Sequence, residues 1–409
     1  MLTVAEARAK ILEHFEPLGT EWVALGAARG RVLAEGIQSR ENLPPFANSS
    51  MDGYAVRVAE TQAAAPTHSI VLPVSGDIPA GSAIPPALPR GTAMRIMTGA
   101  PLPEGADAVV PVEETDEARG SAAAPSAIRI LKAPAHGANI RPVGQDVAVG
   151  QVVLEAGTLL RPAAIGVLAA LGHARVRVHR QPLIALLSTG DELVPVEATP
   201  GPGQIRDTNS YSLAAAIEQY GGRVARLGLA RDRLEEVRAK LQQARELGAD
   251  LIVSSAGVSV GAYDFVKEAV EADGALTFWR VKMRPGKPLA FGRVGGLPFI
   301  GLPGNPVSSL VGMEVFVRPV LLKLAGHRRF DRLVVPATLA EPMHSDGRET
   351  YLRVRLEPHA GGYLAHSTGH QGSNIITSLV KADGLLVIPE GVTEVASGQT
   401  APVWLLDAF

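Results

Sequence analysis

The sequence predicts a multidomain α/β protein, and three observations carry that expectation. A chain of 409 residues exceeds the usual ~100 to 200 residues of one domain. From Pro182 onward, apolar strand-like runs alternate regularly with helix-like runs. Before and after that stretch, short β-type runs are punctuated by proline and glycine. The hydrophobic fraction of 46% against 20% charge is that of a globular chain able to bury a sizeable core.

Thr3 and Glu6 have capping-box spacing and start a helix. Pro44-Pro45, Pro85-Pro86 and Pro101-Leu102-Pro103 keep central strands out of their segments, because proline cannot donate to a ladder. Ala118 to Ser126 reads as a loop tip. Pro162 to Leu171, closed by Gly172, reads as a helix that returns the chain to the first one, making the β-rich part (about 46–145) an insertion in an N-terminal region 1–180.

The alternating part, 181–326, opens with a strand at Leu183–Leu187, a helix at about Asn209–Tyr220 closed by Gly221-Gly222, and a strand at Arg223–Leu229. A helix at about Asp232–Leu247, a strand at Leu251–Ser254 and a helix at about Asp264–Ala272 follow. Strands near Leu276–Met283 and Phe299–Ile300 and a helix from Pro306 complete it. Such alternation implies right-handed crossovers and a three-layer domain, a mainly parallel sheet covered by helices on both faces. From 327 to 409 short β-type runs such as Tyr351–Leu356 and Gly384–Ile388 form a separate β domain without convincing helix.

Net charge of -2 supplies no field for nucleic acid or an anionic membrane, so small-molecule work is expected. The sequence contains no cysteine, which excludes disulfides, thiolate metal sites and cysteine nucleophiles. The most apolar run, Ala163 to Leu171, is too short to cross a bilayer, and the N-terminus lacks a signal-peptide pattern. A cytoplasmic location is the expectation.

In a parallel sheet ligands bind beyond the carboxyl ends of the strands. Three glycine- and hydroxyl-rich segments fall there: Ser188-Thr189-Gly190-Asp191-Glu192, Ser254 to Gly261 leading to Asp264, and Gly301 to Pro306. Their glycines and hydroxyls let amides approach a phosphate, and the acidic residues beside them call for a cation, so a phosphate ligand with Mg2+ is expected. Arg284-Pro285-Gly286-Lys287-Pro288 holds two cations on a stiff turn suited to a compact oxyanion, and Ser308 adds a hydroxyl.

Gly257-Val258-Ser259-Val260-Gly261 also satisfies the nucleophile-elbow pattern, making a serine hydrolase using Ser259 the alternative. That reading lacks a following acid and histidine in the same sheet. His366 and His370 have helical metal-ligand spacing, but Ser367, Thr368 and Gly369 between them favour a turn. No phosphate loop ending in Gly-Lys-Ser or Gly-Lys-Thr occurs.

The chain resembles the molybdopterin molybdenumtransferase family, which includes the E domain of gephyrin. Five segments carry the likeness: Pro44 to Ala55, Arg95 to Ala100, Ser188 to Glu192, Gly257 to Asp264 and Gly301 to Pro306. The resemblance implies a homodimer with an inserted β-rich domain, an α/β molybdopterin-binding domain and a C-terminal β-barrel. It implies insertion of molybdate into adenylylated molybdopterin with release of AMP, and a possible partner that adenylylates the pterin.

By position it implies catalytic roles for Asp52, Thr98 and Asp146, which would face the crevice of the other subunit, and for Glu192, Asp232 and Asp264, which would also hold Mg2+. It places substrate at Ser188, Thr189, Gly190, Asp191, Ser255, Gly257, Ser259, Gly261, Pro303, Gly304, Asn305 and Pro306. Molybdate would meet Arg284, Lys287, Ser308 and Arg348. Arg284 stands where a lysine is commoner in the family, and Ala256 where a glycine is. A gephyrin-like, non-catalytic scaffold is the other alternative that the resemblance raises.

Overall fold

The computed structural model describes residues 1–117, 123–231, 233–255 and 274–406. They fall into two compact units. One comprises Met1–Ala34, Gly157–Arg161 and Arg175–Phe409; the other comprises Glu35–Ala156 and Pro162–Ala174.

The smaller unit is built on a five-stranded sheet ordered Ala108–Pro111, Gly53–Val56, Ala93–Ile96, Ile70–Ile78, Ala127–Ile130. Both faces are covered, because side chains alternate along each strand. Tyr54 and Val56 join Ala108, Val110 and Ile130 in one cluster, while Ala55 joins Met94, Ile96 and Val109 in another. The Pro162–Ala170 helix belongs to this unit and ends as expected before Gly172, whose φ of +74° suits glycine.

In the larger unit the first helix is Val4–Leu12, and the Thr3/Glu6 capping box forms in both directions, at 2.8 and 3.2 Å. Its buried face, Val4, Ala7 and Ile11, packs into the main core. That core fills one side of a six-stranded sheet ordered Arg223–Ala230, Leu183–Thr189, Leu251–Ser255, Leu297–Leu302, Pro288–Val294, Gly274–Arg280. The first four strands run parallel, and the last two are antiparallel additions. Ile184, Leu186, Val253 and Ile300 face the Asn209–Gln219 helix and the helical segment from Pro306. Ala185, Leu187, Ile252 and Phe299 face Val237, Leu241 and Ala244 of the Leu234–Glu246 helix.

The sequence reading missed the strand Pro288–Val294, because it starts on proline and contains Gly292. The expected strand near Leu276–Met283 is two, Gly274–Arg280 and Met283–Arg284, and the second pairs with Glu349 and Thr350 instead. The expected helix at 264–272 lies outside the described residues.

Residues 334–405 close a five-stranded barrel. Glu349–His359 pairs Gly362–Ser367, then Val334–Leu339, Thr400–Leu405 and Gly384–Ile388, which returns to Glu349–His359. Closure leaves no free sheet edge, and Leu339, Val354, Ala365, Leu386 and Val403 fill the inside. A one-turn helix, Thr377–Val380, was not expected from the sequence.

Burial lowers the pKa of His327 to about 4, helped by the charge of Arg318 and by His179. The native state therefore accepts the neutral ring. Its contribution to stability is complete above the unfolded pKa of ~6.5 and is lost as pH falls toward 4. Denaturant unfolding should show about 1–2 kcal/mol lost to this group between pH 7 and 5, and His327→Gln should flatten the slope by that amount. An unchanged slope in the variant would remove His327 from this role.

Candidate active site

Counted along the chain, the parallel strands are ordered 2-1-3-4. The connections leave the first strand on opposite sides, opening a crevice between Leu183–Thr189 and Leu251–Ser255. Ser188 and Ser255 end those strands with hydroxyls 3.1 Å apart. Ser188 also donates to Asp207 Oδ1 at 3.4 Å, and the same oxygen accepts the Ser210 amide at 3.0 Å. These buried polar groups thus satisfy one another and fix the crevice floor.

A cavity of about 1150 Å³ opens above, and the chain lines it with two chemically different poles. At one pole are Thr189, Glu192, Asp207, Asn209 and Ser255, with Pro303 to Pro306 beside them. Asn209 Nδ2 donates to the Gly304 carbonyl at 2.7 Å, and its Oδ1 is an acceptor without a partner among the described residues. The buried Thr189 Oγ1 likewise has none among the described residues. Gly190, at φ +148°, lets the Glu192 carboxylate fold over it, since a Cβ there would lie 2.5 Å from Glu192 Oε2.

At the other pole are Arg284, Lys287, Ser308, Arg348 and Arg353, with Gln371 and Ser373. Gly286, at φ +102°, turns the chain between Arg284 and Lys287, and Val281 N donates to the Lys287 carbonyl at 2.9 Å across the turn. Arg348 is largely committed: Nε and Nη2 hold Asp346 at 3.0 and 2.5 Å, and Nη1 donates to the Met283 carbonyl.

Arg353 is different. It is 1% exposed, donates to Ser378 Oγ at 3.0 Å and the Gly372 carbonyl at 3.1 Å, and has no carboxylate partner among the described residues. Burial, with the charge of Arg284, lowers its pKa to about 10. A desolvated cation so placed gains strongly from an anion in the cavity. The lining contains neither sulfur nor histidine among the described residues.

Of the residues singled out from sequence, Thr189, Glu192, Ser255, Arg284, Lys287, Pro303, Gly304, Asn305, Pro306, Ser308 and Arg348 line this one cavity. Ser188 lies beneath it, and Gly190 and Asp191 sit in the adjoining turn. Asp232, Gly257, Ser259, Gly261 and Asp264 lie outside the described residues. In the smaller unit Asp52 Oδ1 accepts the Thr98 amide at 2.7 Å and its hydroxyl at 2.8 Å, which holds the carboxyl below its usual range. Thr98 and Asp146 are exposed there.

Sequence reasoning missed Asp207, Asn209, Arg353, Gln371 and Ser373. Arg353 left one signal, a lone cation with buried neighbours in the run Tyr351 to Val354. His366 contacts Glu357 at 3.1 Å and His370 accepts the Gly372 amide, so the two do not converge on a metal.

Comparison with known proteins covers nearly the entire chain. Residues 2–172 match the MoeA N-terminal region (domain I and II), 185–323 a probable molybdopterin binding domain, and 336–406 the MoeA C-terminal region (domain IV). Molybdopterin molybdenumtransferase 2 of Mycobacterium tuberculosis is 41% identical over 99% of both chains. The molybdopterin molybdenumtransferase of Haemophilus influenzae is 38% identical over 98% of both. A crystal structure of a molybdopterin biosynthesis MoeA protein from Pyrococcus horikoshii superposes with a TM-score of 0.81 at 32% identity, covering 100% of both chains.

Proposed function

Because the chain belongs to the MoeA family of molybdopterin molybdenumtransferases, we propose that it inserts molybdate into adenylylated molybdopterin and releases AMP. The observation that supports this best is the two-pole cavity. A pterin carries N–H donors for acceptors such as Asn209 Oδ1, while Arg284, Lys287, Ser308 and Arg353 suit a compact tetrahedral oxyanion. Held in one cavity, the oxyanion would lie beside the dithiolene, and positioning would supply much of the rate.

Magnesium takes oxygen ligands. Among the described residues, the Glu192 carboxylate and the partnerless Thr189 hydroxyl give the wall an all-oxygen donor set, which fits that ion. Glu192 would hold it together with Asp232 and Asp264, and when bound it would neutralise charge on the diphosphate. Ser255, Gly257, Ser259 and Gly261 would carry the phosphates, with Ser188, Gly190, Asp191 and the Pro303–Pro306 turn supporting them.

Asp52, Thr98 and Asp146 would act from a second copy in a homodimer, and the domains would divide as 1–180, 181–326 and 327–409. The protein would work in the cytoplasm and take its pterin from an adenylylating partner. Among the described residues no helix is long and apolar enough to cross a membrane.

Molybdate-dependent AMP release from adenylylated molybdopterin tests the reaction. Lys287→Ala should raise the molybdate needed for half-maximal release by roughly tenfold, the effect of one charged hydrogen bond. Release that ignores molybdate and stops when Ser259 is acylated would point to the hydrolase. No release at all would point to the scaffold.

A further inference from the structure

We infer that a second cavity in the larger unit, between the first helix, the helical turn at Glu314 and the start of the barrel, binds one small tetrahedral oxyanion. This cavity, about 160 Å³, is lined by Arg8, Arg318 and Arg332 and walled by apolar groups such as Phe330 and Trp404. Its volume is roughly that of an engineered cavity that accommodates benzene. Three guanidinium groups face two carboxylates, Glu314 and Asp331, and both carboxylates are already taken.

Arg332 grips Glu314 Oε2 through Nε at 2.9 Å and Nη2 at 2.6 Å, while Tyr220 donates to the other Glu314 oxygen. Arg8 pairs with Asp331 at 2.7 Å, and that carboxylate is 80% exposed. Arg318 is left over. It is 8% exposed, donates from Nη1 to the Phe330 carbonyl at 2.8 Å and lies over the Tyr220 ring at 5.3 Å.

That ring is shared with Arg332, at 5.2 Å, so it cannot neutralise both cations. The Nε atoms of Arg8 and Arg318 are both buried without partners among the described residues. Arg318 feels the Glu314 carboxylate only through space and shares it with Arg332, so this buried pair of cations is short of negative charge, which an entering anion supplies. Local backbone geometry points the same way: Met313–Val317 forms a π-helical turn inside an otherwise α-helical run, a feature often found at functional sites, and Glu314 and Val315 on it line the cavity.

Arg332 has its five N–H groups spent on Glu314, Tyr220 and the Leu405 and Leu406 carbonyls, so the open donors are those of Arg8 and Arg318, whose planar forks suit a sulfate-sized oxyanion, and the space admits one such ion. Bound there, it would tie the first helix to the barrel start and stabilise this unit in proportion to its concentration.

The test uses the whole protein with Lys287→Ala and Arg353→Met introduced, so that the large cavity responds to oxyanions only weakly. Sulfate at low millimolar concentration, too dilute for its general stabilising effect on proteins, should raise its melting temperature above that in sodium chloride of equal ionic strength by about 2 °C or more. Adding Arg318→Met should abolish this increment, whatever it does to the baseline. Selenate soaked into crystals should give an anomalous peak between Arg8 and Arg318. If Arg318→Met does not fold, Arg8→Gln replaces it and should at least halve the increment. An increment that survives these variants, stabilisation by acetate but not sulfate, or no selenate peak would overturn the proposal.

Discussion

An Arg353→Met variant is expected to need about 10- to 100-fold more molybdate for half-maximal AMP release, the range set by ~1.5–3 kcal/mol for a hydrogen bond to a charged group. The reason is the placement of the guanidinium on a barrel strand, almost wholly desolvated and answered by one serine hydroxyl and one carbonyl. Methionine fills similar space without the charge, so unfolding should stay within about 1.5 kcal/mol of the parent. Arg348→Met should cost much less molybdate affinity, because Asp346 already holds that side chain. Equal losses in the two variants, or unchanged half-saturation in Arg353→Met, would mean that Arg353 does not hold the anion.

A second large effect concerns folding. In the smaller unit Gly53 begins a strand paired on both sides, to Ile96 and to Pro111. A Cβ added there would lie 2.0 Å from the Val110 carbonyl oxygen and 2.9 Å from Pro111 Cα. Both obstacles are backbone, so no side chain can rotate away and the strands must part. Gly53→Ala should therefore lose roughly 3 kcal/mol or more, beyond the usual cost of overpacking, or fail to accumulate as folded protein. A melting temperature within about 2 °C of the parent would contradict the close approach. Gly99, also in this unit and open to solvent around its Cβ direction, serves as the contrast: its φ of +81° makes alanine strained there but not blocked.

What could be read from sequence divides along physical lines. Features set by local chemistry were legible: the reciprocal Thr3/Glu6 cap, the glycines that end helices at 172 and 221, and the apolar strands of the parallel sheet. The cavity's loops were legible too, since strand ends in such a sheet are where unsatisfied amides gather. Arg353 was not, because a cation between the barrel-core residues Leu352 and Val354 looks like a solvent-facing residue, and only the fold lays Gly372 and Ser378 over it. Pro288–Val294 was hidden for a related reason: its place is fixed by pairing with Gly274–Arg280 and Leu297–Leu302, not by its own pattern. Arg348 shows the converse. It lies in the cavity wall as expected, and only the fold reveals that Asp346 has already claimed it.

The absence of sulfur from the described cavity lining has a consequence for how product leaves. Among the described lining residues there is no thiolate or thioether to compete with the two dithiolene sulfurs for the metal. No cysteine of this chain can hold back the finished cofactor through a thiolate, and thiol-alkylating reagents, which disable cysteine enzymes, find no target in it.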